Sequence, residues 1–277
     1  MRQQSTGPAE PIEPNRDSVP NQLDFYGTVT YAAVVKPDLE CQPSADTSNA
    51  EAEIASDSPT TIMGITKPKM RGWLHLGAVP TAALAGLLLV LLAPSQLRIP
   101  IAIYAFSTVV LFGISATYHR VNWRPGTRVI MQRIDHSAIF ILIAGSYTAV
   151  AAAIVTGRSG TVMVIAAWVA ATVGVLARLL WVKAPRWVFT PTYILFGVCA
   201  LFFAPAIIQN GGALVFALIM GGGILYIAGA IIFALRRPDP SPNWFGFHEV
   251  FHSFTLGGYV SHYVAVLLAA TGAVALR

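Results

Sequence analysis

The chain has 277 residues, 55% of them hydrophobic and only 11% charged, with a formal net charge of +5. An average soluble domain carries roughly 25% charged residues; this composition excludes an ordinary soluble enzyme and predicts a membrane protein. The acids are segregated: ten of the 13 Asp and Glu lie between Glu10 and Asp57, and the rest of the chain holds only Asp135, Asp239 and Glu249. Residues 1–66 set three bases (Arg2, Arg16, Lys36) against those ten acids, a net −7. The positive balance therefore comes from bases at the ends of hydrophobic segments. They read as topology determinants. No aromatic–basic interleaving of the kind that binds nucleic acid occurs, so no nucleic-acid partner is expected.

Residues 1–65 are rich in Pro, Ser, Asp, Glu and Asn, and their one apolar run, Tyr31–Val35, is short. Such a segment buries too little apolar surface to offset its ordering entropy and is expected to be disordered. The expected division is an acidic cytosolic tail, 1–66, and a membrane domain, 67–277. Residues 1–30 lack a basic stretch followed by an apolar run, which predicts no cleavable signal peptide. Cys41 and Cys199 do not form a disulfide framework.

A membrane-crossing helix needs about 20 apolar residues. Seven segments qualify: 73–93, 99–119, 135–156, 160–182, 188–208, 212–235 and 248–275. The breaks carry turn or charge signals, as in Pro94-Ser95-Gln96, Asn210-Gly211-Gly212 and Arg236-Arg237-Pro238. Pro80, Pro191 and Pro205 fall inside segments as candidate kinks, and Gly221-Gly222-Gly223 suits close helix contact. On alternate flanks the Lys and Arg number 11 against three. The positive-inside rule then places the N-terminus in the cytosol and the C-terminus outside. The predicted fold is all-α, a polytopic membrane protein of seven transmembrane helices.

Few ionisable residues lie in the membrane part, and several fall at one depth. His119 closes the second segment, Asp135 opens the third, and His248 and His252 open the last. All three ends are cytosolic by the charge count. Ionisable groups in membranes are costly and usually functional. In His248-Glu249-Val250-Phe251-His252 the two histidines are four apart, a rotation of about 40° that puts both rings on one helix face. Three neutral imidazoles suit zinc, and a catalytic zinc keeps a fourth position for water. Zinc lowers the pKa of bound water to about 7 and supplies a hydroxide nucleophile. Asp135 either holds that water or is a fourth ligand; alone, it reads equally as a helix cap or a partner of Arg128 or Arg133. Ser115, one turn before His119, either orients a ligand, donates to a developing oxyanion, or bonds its own helix. HEVFH also matches the H-E-x-x-H metalloprotease pattern with Glu249 as general base; the competing reading is a first-turn acid favoured by the helix dipole. His262, about 20 Å further along the helix, is too distant to be a ligand. His75 and His136 read as structural, and Arg178 as a helix-end anchor that snorkels.

The stretches KPKMRGWLHL, SATYH, RIDHSAIFILIAGSYT and HEVFHSFTLGGYVSHY, in this order from Lys67 onward, resemble the hemolysin III branch of the progestin and adipoQ receptor (PAQR) family. The resemblance implies a seven-helix fold with a cytosolic N-terminus and a zinc site near the cytosolic face. Its ligands would be His119, His248 and His252, with Asp135 and Ser115 matching the family aspartate and serine. The adiponectin-receptor relatives look like zinc-dependent lipid amide hydrolases, and the bacterial branch takes its name from cell lysis. The expectations are therefore an intramembrane zinc hydrolase of a lipid amide or ester in a bacterial plasma membrane, a pore-forming hemolytic protein, or a non-catalytic membrane sensor. Membrane lipids are the expected partners.

Overall fold

The computed structural model describes residues 61–62, 65–181 and 186–272. Most of the acidic segment expected to be disordered lies outside them. Thr61–Ile62 (β1) and Ile65–Thr66 (β2) pair antiparallel as a short ribbon. Everything that follows is helical.

The helices are α1 (Trp73–Leu92), α2 (Arg98–Arg120), α3 (Pro125–Val150), α4 (Gly157–Leu180), α5 (Arg186–Val198), α6 (Ala204–Leu235) and α7 (Phe247–Ala270). A 3-10 turn, Ser95–Leu97, leads into α2. A π-turn, Ala151–Val155, extends α3, and a 3-10 turn, Cys199–Phe203, joins α5 to α6. Among the described residues six helical stretches are long and apolar enough to cross a membrane: Trp73–Leu92, Ser95–Arg120, Pro125–Val155, Gly157–Leu180, Val188–Leu235 and Phe247–Ala270. The fifth runs for 48 residues because two segments read as separate in the sequence join without a loop. Its helical geometry breaks inside α6 at Gly212, at φ 77° and ψ 171°.

Sidedness follows from helical spacing. On α1 the buried positions are His75, Ala78, Ala82, Gly86 and Leu89, a stripe at the three-to-four spacing of one helix face. The opposite face is equally apolar and exposed. Leu84 is 70%, Phe106 of α2 71% and Phe202 83% accessible, a surface that suits hydrocarbon and not water. The most deeply buried stretch is Pro125–Val155; α3 packs between α2 and α4, while α7 lies along α6 and touches α1. Gly222 lets α6 approach α7, since a Cβ there would sit 2.3 Å from His262 Cδ2.

Several polar groups inside this core are satisfied by backbone carbonyls, as hydrocarbon demands. Thr108 and Thr148 hydroxyls donate to the carbonyls of Tyr104 and Ala144, four residues back. Asn210 Nδ2 donates to the Ile154 carbonyl at 2.8 Å, where the π-turn leaves a carbonyl to be paired. Tyr147 donates to the carbonyls of Phe196 and Gly197 at 2.8 and 3.0 Å, just where α5 tightens toward its 3-10 turn.

Two expected boundaries move. α3 starts at Pro125, ten residues before Asp135, so Asp135 sits inside the helix rather than at its N-terminus. A helix dipole therefore does not favour an ionised Asp135, because that field decays within the first turn. Pro205 occupies the first turn of α6, not its interior, where a missing N–H costs nothing.

Candidate metal centre

The last turn of α2 and the first turns of α7 meet at one end of the bundle. His119 comes from α2, and His248 and His252 from α7. One nitrogen from each lies within 4.8 Å of the other two. His119 Nε2 and His248 Nε2 are 3.1 Å apart, and the ring centroids of His248 and His252 are 4.6 Å apart. A tetrahedral cation with nitrogen bonds of 2.0–2.1 Å separates its ligand atoms by roughly 3.4 Å. The group has that scale.

A second observation fits a cation. His252 is buried, and its Nε2 has no hydrogen-bond partner among the described residues. Leaving a buried polar atom unmade costs about 1–3 kcal/mol, a cost that a coordinated ion removes. The donor set, three imidazoles of which at least two are buried, matches the nitrogen preference of zinc and its neighbours in the transition series.

Asp135 and Ser115 stand beside this group rather than in it. Asp135 Oδ2 is 3.7 Å from His136 Nδ1, and the Ser115 side chain lies close to the Asp135 carboxyl. Ser115 is buried one turn before His119 on α2, the helix that supplies one histidine of the group.

Glu249 has a different task from that of a general base. It is 1% exposed; its Oε1 accepts from Arg71 Nε, and its Oε2 accepts from the Gly246 N–H at 2.9 Å. Both carboxylate oxygens are thus occupied in capping α7 and tying it to the segment before α1. That segment is strapped down along its length. The Lys69 and Met70 N–H groups donate to the carbonyls of Asn243 and Trp244 at 3.0 and 3.1 Å. Lys67 Nζ donates to the His119 carbonyl, and Arg120 stacks on Trp73 at 4.2 Å. Burial, reinforced by Arg71, Arg128 and Arg120, pulls the Lys67 ammonium down to about 8, because a charged group loses hydration and meets like charges.

Gly72 completes the strap. Its φ of +81° is left-handed, and a Cβ there would lie 2.8 Å from His119 Cβ. Only glycine meets both conditions.

His75, which the sequence reading treated as structural, reaches the centre. It is 3% exposed, and both its ring nitrogens approach His252 Nδ1, at 2.9 and 2.8 Å. The available signal was its place on the inward stripe of α1. His136 Nδ1 bonds the Gln132 carbonyl at 2.7 Å, and His262 Nε2 bonds the Ile219 carbonyl at 3.0 Å; neither joins the group.

Comparison with known proteins adds independent findings. Residues 63–263 match the family profile described as Haemolysin-III related. A relative described as Hemolysin-3 homolog from Bacillus subtilis (strain 168) is 28% identical over 165 residues, which are 60% of this chain and 74% of that protein. Hemolysin-3 from Bacillus cereus is also 28% identical over 165 residues, covering 60% and 72% respectively.

Proposed function

The chain belongs to the haemolysin-III-related family, and from that membership and the histidine centre we propose an intramembrane zinc hydrolase of a lipid amide or ester. The carrying observation is that three imidazoles from two helices meet within 4.8 Å, beside a hydroxyl from α2, Ser115, and a carboxyl from α3, Asp135. The proposed setting is the bacterial plasma membrane, crossed seven times from a cytosolic N-terminus. The stretch Val188–Leu235 has 48 residues. At 1.5 Å per residue it would span about 70 Å if straight, against about 30 Å of hydrocarbon. Two crossings joined at the Gly212 break account for that length, and the 11-to-three bias of bases sets the orientation.

His119, His248 and His252 would hold the cation. Bound there, zinc supplies Lewis acidity toward a scissile carbonyl. The remaining work belongs to the chain. Asp135 positions a water, takes its proton as the oxygen attacks the carbonyl carbon, and returns that proton to the leaving nitrogen or oxygen as the C–N or C–O bond breaks. Ser115 donates its one hydroxyl proton to that carboxyl and keeps it oriented. The exposed apolar faces beside the centre give an acyl chain access from the inner leaflet.

The test is turnover of a fluorescent ceramide-like amide by the full chain in lipid nanodiscs. Wild type releases fatty acid, and His252→Ala and Asp135→Ala do not. Equal release by the His252→Ala protein sinks the proposal. The name hemolysin carried by the two Bacillus relatives raises a cytolytic reading. Dye leakage from liposomes that persists after all three histidines are replaced would favour that reading over hydrolysis.

A further inference from the structure

We propose that His75 is a positioning residue of the metal centre: it accepts a hydrogen bond from His252 Nδ1–H and so fixes the tautomer that turns the His252 Nε2 lone pair toward the cation. The inference rests on the metal reading above and assigns a task to a residue on a third helix.

A neutral imidazole carries one proton, on Nδ1 or on Nε2, and only the bare nitrogen can coordinate a metal. The partner of the other nitrogen makes that choice, which is why ligand histidines regularly bond an acceptor through the nitrogen that faces away from the metal. His252 shows this division. Its Nε2 is buried and unpartnered among the described residues. Its Nδ1 lies 2.8 Å from His75 Nε2 and 2.9 Å from His75 Nδ1, with the two rings at 77° and centroids 3.9 Å apart.

His75 is held where it can do this. It lies on the inward stripe of α1 with Ala78, Ala82, Gly86 and Leu89, while its neighbours Trp73 and Leu76 are 46% and 42% exposed. Its ring packs on Phe112 of α2 at 4.9 Å, and Phe112 is wholly buried. A buried imidazole on an otherwise apolar stripe is expensive unless it is bonded, and His252 Nδ1 lies within hydrogen-bond distance of it. The ring therefore spends its burial on orienting a ligand, and α1 joins α2 and α7 in building the centre.

The experiment is a competition titration of cobalt(II), and then zinc(II), against a chromophoric chelator, on the detergent-purified full chain. It compares wild type, His75→Phe and His75→Gln. Phenylalanine keeps the packing and removes the acceptor; the glutamine side-chain oxygen can replace the His75 nitrogen that accepts. Loss of such an outer partner typically weakens metal binding 10–100-fold. The expected result is that loss in His75→Phe, substantial recovery in His75→Gln, and an altered cobalt visible spectrum in the phenylalanine variant alone. The melting temperature of each metal-free protein separates orientation from packing. Wild-type affinity in His75→Phe overturns the inference while leaving the metal centre intact. So does a weakening that parallels a lower metal-free melting temperature and is not rescued by glutamine. Failure of wild type to take up either ion overturns both the metal reading and this inference.

Discussion

Replacing Gly72 by alanine probes the strap that holds His119. At φ +81° an L-residue costs about 1–2 kcal/mol over its preferred backbone conformation. The new methyl also lies 2.8 Å from His119 Cβ, where carbons prefer about 3.5–4.0 Å. Either α2 or the strap must move by roughly 0.7 Å or more, and such overpacking costs about 1–3 kcal/mol. The combined loss is roughly 2–5 kcal/mol. Gly77, inside α1, supplies the control: among the described residues nothing lies within 4 Å of a Cβ there, so alanine gains about 0.5–1 kcal/mol from helix propensity. Denaturant unfolding of both variants in one detergent reads the difference, and metal retention reads the displacement of His119. Equal stabilities for Gly72→Ala and Gly77→Ala would refute the reasoning, since they would mean that the strap neither strains at residue 72 nor presses on His119.

Arg71→Met leaves Glu249, 1% exposed, as a buried charge without its cation, and should cost about 3–5 kcal/mol in an unfolding titration. Adding Glu249→Gln should recover part of that loss, because glutamine still accepts from the Gly246 N–H; no recovery would mean the carboxylate charge is not what the strap balances. Chelation of wild type should lower its melting temperature, restored by added zinc, whereas His248→Ala should melt alike with and without chelator. Tyr147→Phe removes the donor to the Phe196 and Gly197 carbonyls and should destabilise by about 1–2 kcal/mol, measured in the same assay; an unchanged midpoint would show that those carbonyls find other partners.

The helical membrane character was legible because hydrocarbon imposes a length and a polarity on every crossing. The four-residue spacing of His248 and His252 likewise dictated a shared face before any tertiary contact was known. Their meeting with His119 was not dictated. It depends on how α2 packs against α7, and periodicity along one helix carries no such information. α3 began earlier than its apolar run because Arg128, Gln132 and Arg133 mask its first turns; Pro125 at the first helical position was the overlooked start signal. His75 was obscured for a reason special to membranes. In water a helix shows its inward face by contrast with a polar one, but α1 is apolar all round, so the stripe from His75 to Leu89 emerges only once neighbours cover it. Glu249 could be read as base or cap until the structure engaged both its oxygens.

Metal content of the full chain, purified without added ions and measured by elemental analysis beside the His119→Ala/His252→Ala double variant, addresses the centre itself. One zinc per wild-type chain and none in the double variant is the predicted result. A wild-type protein free of metal after purification and zinc supplementation, or equal zinc in both proteins, would contradict the centre and the hydrolysis proposed for it.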